Sequence, residues 1–248
     1  PAAPGATLMS DEPILFVEPS DTGDHVETVE DDFDDLKSHL ASESAVINPT
    51  FDPDEHDLTD AFWLRVTDPY GKTVACHAER IYDASDFIAD YVESGRLWWH
   101  RRAPRPVAEW RNEIAPLPVK LSGVVAYAGS MLIAKPHRGK GLSLILPYLS
   151  RALCIRNFQT DFHTGIVRQG LAGSVVPTDN YGFPRTSPIF RGLLPGVKGE
   201  FEEVHLCWLS RKEGLQRLSA LPSHPKFPID LGSVPRIDES FFGEPRVH

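Results

Sequence analysis

Apolar residues along this chain switch between two periods, and the switches outline its elements. Ile14-Leu15-Phe16-Val17, closed by Pro19, is short and wholly apolar, which predicts a first strand. Val26, Val29, Phe33, Leu36 and Leu40 recur at three- and four-residue steps, predicting a helix over 21–40 with an acidic outer face. Phe62 to Thr67 and Thr73 to Ala78 are β-leaning runs joined through Asp68-Pro69-Tyr70-Gly71-Lys72, the composition of a hairpin turn. A helix is predicted over 84–93, stopped near Gly95. Val124 to Ala134 reads as a strand. After the glycine-containing run 135–141 the period changes, and Leu142, Leu144, Ile145, Leu146, Tyr148, Leu149 and Leu153 make a helix with a wide apolar face. His163 to Val167 and Phe201 to Leu209 are further strands, with Tyr181-Gly182-Phe183-Pro184 as a loop.

Composition narrows the class. The 248 residues fit one large domain or two small ones, with enough apolar mass for a sizeable core. No stretch approaches the roughly 18 consecutive apolar residues of a membrane span, so no membrane partner is expected. No basic segment leads into an apolar one near residue 1, so secretion finds no support. Cys76, Cys154 and Cys207 are too widely spaced for a disulfide framework or a zinc site, and read as buried thiols of a cytoplasmic protein. No histidine pair has metal-ligand spacing, so no metal is expected. Residues 1–10 read as a mobile or cloning-derived terminus, 11–221 as a single domain with an insertion over about 83–122, and 222–248 as a Pro-rich tail.

The net charge of −10 is uneven. Residues 1–60 carry 17 acidic side chains and only Lys37 as a cation, while the remainder is mildly basic, at +6. The acidic quarter makes a poor general nucleic-acid binder, and the later part suits a small anionic ligand better than a duplex.

The informative unit is strand, then Arg138-Gly139-Lys140-Gly141-Leu142-Ser143, then helix. Glycines at a strand-to-helix junction let the backbone approach a ligand and expose N–H groups at the positive end of the helix dipole. That is a site for a phosphate or diphosphate, with Arg138 and Lys140 adding charge. Neither a Walker A loop nor G-x-G-x-x-G is present.

This segment resembles the R/Q-x-x-G-x-G/A acyl-CoA signature of the GCN5-related N-acetyltransferase (GNAT) superfamily. Arg138 fills the first position, Gly141 the central glycine, and Ser143 stands where Gly or Ala is usual. The resemblance covers about residues 14–209, in the order strand, acidic helix, hairpin, signature strand and helix, strand, and a final strand pair. It implies an α/β fold with a GNAT-like mixed, mostly antiparallel sheet flanked by helices. It also implies a gap beside the signature strand in which Met131, Leu132, Ile133 and Ala134 bond the pantetheine arm. Arg138, Gly139, Lys140, Gly141, Leu142 and Ser143 would hold the diphosphate. The implied activity is transfer of an acetyl or longer acyl group from acyl-CoA to a primary amine by direct attack.

Two departures from that pattern are visible. About forty residues, 82–122, stand where the family has a tight turn, and they hold Trp98, Trp99 and Trp110 with Arg96, Arg101, Arg102, Arg105 and Arg111. This insertion either walls an acceptor pocket or docks a partner, or is accessory aromatic packing. The family's acid tyrosine lies in Y-x-x-x-G-F; here Thr178 occupies that position and Tyr181 directly precedes Gly182-Phe183. Tyr181 is therefore a candidate acid. Glu79 and His77, on one face of the hairpin's second strand by the two-residue period, are candidate bases, with His163 a further one. A small-molecule amine is the expected acceptor, a protein or aminoacyl-tRNA a second possibility, and a CoA-binding scaffold without turnover a third reading.

Overall fold

The computed structural model describes residues 25–99, 119–192 and 202–221. The expected strand at 14–17, the terminus at 1–10, the tail at 222–248 and most of the Arg/Trp segment (residues 100–118) lie outside the described residues.

Seven strands form one sheet: β1 (His25–Glu30), β2 (Ala61–Thr67), β3 (Thr73–Ala84), β4 (Gly123–Ile133), β5 (Phe162–Arg168), β6 (Arg185–Gly192) and β7 (Glu202–Ser210). Their spatial order is β1-β2-β3-β4-β5-β7-β6. Each neighbouring pair is antiparallel except β4 with β5, which run parallel. Parallel neighbours need a long crossover, and here it is the helix α2 (Leu142–Phe158). The sheet is thus mixed and mostly antiparallel, as the family resemblance implies.

Side chains alternate along β2 and so feed two cores. Phe62, Leu64 and Val66 pack with Ala126, Leu142, Leu146 and Leu153 under α2. Ala61 and Trp63 face the other way, joining Phe33, Leu36 and Leu40 of α1 (Phe33–Ser42). Burial on both faces explains why β2 reads as a nearly continuous apolar run, with Arg65 its one charged residue. Each fully buried side chain of this kind contributes about 1.5–3 kcal/mol.

The long helix expected over 21–40 is corrected. Residues 25–30, His-Val-Glu-Thr-Val-Glu, are strand β1, and the helix begins only at Phe33. The Asp32 carboxylate accepts from the N–H groups of Asp34 and Asp35, which fixes the helix start there. Val26 and Val29 fell into helical spacing with Phe33 by coincidence; as β-branched residues they pair with Val66 and Leu64 of β2.

The helix expected over 84–93 shrinks to one wide turn, Ile88–Glu93. β3 runs on through Ala84, and the Asp90 carboxylate gathers the N–H groups of Ser85 and Asp86, which stops a regular helix from starting earlier. The described part of the insertion is aromatic packing: Phe87, Leu97 and Trp98 are buried, and the Trp98 ring meets the Phe190 ring edge-on at 5.7 Å.

Further elements went unassigned from the pattern. β6 contains Pro188, which weakens a strand signal but is tolerated here because β6 is the sheet's edge. A short helix, α3 (Gln169–Ala172), follows β5 directly, and helix α4 (Arg211–Ala220) starts at a capping box, Ser210 with Glu213.

Candidate active site

The site begins where the parallel pair comes apart. β4 and β5 pair only from Val125↔Phe162 to Ala128↔Gly165. Beyond that point β4 continues against β3, and β5 continues against β7. The two strands therefore separate, leaving backbone groups of each unclaimed by the other.

A bulge in β4 sharpens the separation. Against β3 the register steps from Cys76↔Leu132 to Ala78↔Gly129, so β4 has one residue more than its partner. Ser130 takes up the excess in a left-handed conformation, φ +47°. It is held there by Asn48, whose backbone N–H donates to Ser130 Oγ at 3.2 Å, and by the Cys76 thiol at 3.5 Å from the Ser130 carbonyl.

The glycine loop closes the gap. Gly139 and Gly141 adopt φ +80° and +85°, which an L side chain resists by about 1–2 kcal/mol. Gly141 is the N-cap residue of α2 and offers no side chain to its first N–H groups. The Arg138 side chain folds back so that Nε donates to the Ile133 carbonyl at 3.0 Å.

These parts enclose a cleft of about 340 Å³ lined by Met131, Leu132, Ile133, Arg138, Gly139, Leu142, Ser143 and Tyr181. Of the residues singled out for the cofactor, Lys140 and Gly141 complete the loop between lining residues. Tyr181 joins the lining although it stands directly before Gly182 in sequence. Its segment is tied to α2: Asn180 Nδ2 donates to Ser143 Oγ at 2.8 Å, and Arg151 Nη2 donates to the Tyr181 carbonyl at 2.7 Å. Burial pushes the Tyr181 phenol above its ordinary value, so the hydroxyl keeps its proton throughout the physiological range.

Glu79 and His77 are brought together elsewhere. They lie on the β3 face covered by α2, both buried, and neither lines the cleft. The Ser150 hydroxyl donates to Glu79 Oε1 at 2.7 Å; His77 Nε2 and His163 Nε2 stand 3.2 and 3.1 Å from the same oxygen. Burial alone would raise the Glu79 carboxyl, but the adjoining His163 and His77 outweigh it, and Glu79 is held ionised. Burial in turn pushes the His163 imidazole down, favouring its neutral form. Positive charge comes from Arg151, fully buried in α2, whose pKa burial lowers only to about 10.

Cys154 Sγ joins Glu79 and His163, their ligand-type atoms all lying within 4.8 Å of one another. This juxtaposition of β3, α2 and β5 has no counterpart in local spacing.

Sequence reasoning missed Ser150, Arg151 and Asn180. Arg151 did carry a signal: it sits three residues from Tyr148 and four from Ile155, within the apolar stripe of α2, where a cation needs a reason.

Neither a family model nor a curated protein sequence matches the chain. Several solved structures are similar to it. A spermidine N-acetyltransferase from Vibrio cholerae aligns with TM-score 0.46 and 11% identity, over 76% of this chain and 95% of its own. A CoA-dependent acyl-homoserine lactone synthase, BjaI, aligns with TM-score 0.39 and 14% identity, over 70% and 72%. An acetyltransferase of the GNAT family from Streptococcus pneumoniae gives 0.36 and 11%, over 61% and 67%. Likeness of this degree carries no inference about activity, which rests on the cleft itself. Among the described residues no helix is long and apolar enough to cross a membrane.

Proposed function

We propose that this chain is an acyl-CoA-dependent N-acyltransferase that moves an acetyl or longer acyl group to a primary amine. The supporting observation is the cleft between the separating strands β4 and β5, closed by a glycine loop at the N-terminus of α2. The loop has the chemistry of a diphosphate cradle: N–H groups at a helix start, glycines a Cβ would strain, and Arg138 and Lys140 beside them. The strand segment Met131–Ile133 offers backbone groups along a narrow wall, which suits an amide-bearing arm. The thioester supplies the activated acyl group.

In this reading the amine nitrogen attacks the thioester carbonyl carbon, the C–S bond breaks, and the departing sulfur gains a proton as the amine loses one. Tyr181, protonated and in the cleft lining, gives that proton. A strand N–H near Leu132 or Ile133 stabilises the developing oxyanion. Glu79 and His77 act as proton acceptor through a water or through a shift of α2, because both are buried away from the lining. A small amine in the cytoplasm is the favoured acceptor, ahead of a protein or aminoacyl-tRNA.

The same burial favours a second reading, in which the cleft binds CoA without turnover. Calorimetric titration with acetyl-CoA and free CoA, on the wild type and a Gly141→Trp variant, tests both. Micromolar binding lost in the variant supports the cleft assignment. Absence of heat and of thermal shift with any acyl-CoA overturns both readings, and binding without acyl transfer across an amine panel leaves the second.

A further inference from the structure

Arg151 is an expensive residue for its position. Its side chain is fully buried in α2, its guanidinium lies over the rings of Tyr148 (5.1 Å) and Phe183 (5.2 Å), and its Nε and Nη1 have no hydrogen-bond partner. Burying a cation is unfavourable unless its interactions matter. Besides the neighbouring Glu79 charge, the guanidinium has a hydrogen bond to the carbonyl of Tyr181, at 2.7 Å.

Two further constraints act on the residues flanking Tyr181. Asn180 is tied to Ser143 in the first turn of α2. Gly182 adopts φ +68° and lies so close to Tyr148 that a Cβ would stand 2.7 Å from the phenol oxygen. The turn before it ends with the N–H of Tyr181 donating to the Val176 carbonyl at 3.0 Å. Residues 180–182 are therefore held against α2 at three consecutive positions, and Tyr181 between them lines the cleft while packing against the cluster of Phe183, Cys207 and Leu209.

We infer that Arg151 is a positioning residue: its bond to the Tyr181 carbonyl, together with the Asn180–Ser143 tie, sets the Tyr181 side chain against the loop that takes the diphosphate. The inference rests on the proposed function for what Tyr181 does, but not for the clamp itself. Through Ser143, one helix turn touches both the loop and the Tyr181 segment, so occupancy of the helix N-terminus acts on the position of Tyr181.

The test uses the full chain labelled with 3-fluorotyrosine and read by ¹⁹F NMR. The chain has six tyrosines, Tyr70, Tyr82, Tyr91, Tyr127, Tyr148 and Tyr181, and a Tyr181→Phe variant assigns the line of interest. In the wild type that line is expected to be single and narrow and to shift on addition of free CoA. In Arg151→Met it is expected to broaden or split and to lose at least half of the CoA-induced shift. Tyr148 touches the guanidinium and moves in any case; the other four lines are expected to stay. An unchanged Tyr181 line in Arg151→Met overturns the inference, as does a change spread over all six tyrosines. Should Arg151→Met not fold, Asn180→Ala, which leaves the buried cation in place, is expected to broaden the same line, and its failure to do so counts against the clamp. A wild type that ignores CoA defeats the proposed function alone, because the effect of Arg151→Met on the Tyr181 line is still read without ligand.

Discussion

Asn180 Nδ2 stands 2.8 Å from Ser143 Oγ, so the segment bearing Tyr181 is fastened to the first turn of the helix that begins at the glycine loop. Ser143 thus has two neighbours of different chemistry, an amide donor on one side and the anion-seeking helix start on the other.

That position separates stability from binding. Ser143→Asp keeps an acceptor for Asn180 and places negative charge at a helix N-terminus, which favours the fold by about 0.3–1 kcal/mol. The same charge opposes a bound diphosphate. Acetyl-CoA affinity is expected to fall at least tenfold while the thermal midpoint holds or rises. Calorimetry and a melt on the same sample check both signs; a loss of both would point to simple misfolding.

Gly182→Ala puts a Cβ into a left-handed residue and against the Tyr148 hydroxyl at 2.7 Å. Strain of this type costs about 1–3 kcal/mol. Since the phenol oxygen is the nearest obstacle, Tyr148→Phe in the same chain is expected to restore part of the loss, although the ring itself remains at 2.8 Å. A double-mutant cycle in urea measures the coupling, and strict additivity would mean that the two do not meet.

What could be seen in the sequence was local, and what could not was made by distant segments. The cleft's β4 and loop residues were legible because Met131 to Ser143 are one continuous stretch whose glycines and change of period carry their own meaning. Tyr181 was only half legible, since its approach to the loop depends on Arg151 and Asn180. The Glu79 cluster was legible as two residues on one strand face, but its burial depends on α2 folding over it with Ser150 and Arg151. The helix expected over 21–40 failed because valines at helical spacing also satisfy a strand, and the decision fell to Asp32 as a cap.

The Glu79 carboxylate gathers Ser150, His77 and His163 within 3.2 Å in a fully buried setting, with Arg151 as the nearby cation. Glu79→Gln keeps the shape and removes the charge, leaving the guanidinium without its counterpart. Loss of one partner in such a set costs about 3 kcal/mol, and urea denaturation is expected to show a shift of that order. If Glu79 also accepts the proton of the amine, acyl transfer falls further while acetyl-CoA affinity stays near that of the wild type.

Acid sensitivity is expected at the start of the last helix. The Glu213 carboxylate accepts from Nη1 and Nη2 of the Arg185 guanidinium, at 2.9 and 2.5 Å, and from the backbone N–H and hydroxyl of Ser210 at the start of α4. Arg185 foremost, then Ser210, holds the carboxyl down to about 2 from its ordinary 4.5. A depressed folded-state pKa stabilises above the unfolded value and loses that contribution as pH falls through the folded one. The window is therefore pH 4.5 down to about 2. Because the pair is largely exposed, screening limits its worth to about 0.2–1 kcal/mol. Glu213→Gln is expected to be less stable than the wild type by that amount at neutral pH. The gap should narrow below pH 4.5 and close near pH 2, as read by chemical denaturation at stepped pH. A gap that persists to pH 2 would assign the contribution to the neutral capping geometry, not to the ion pair.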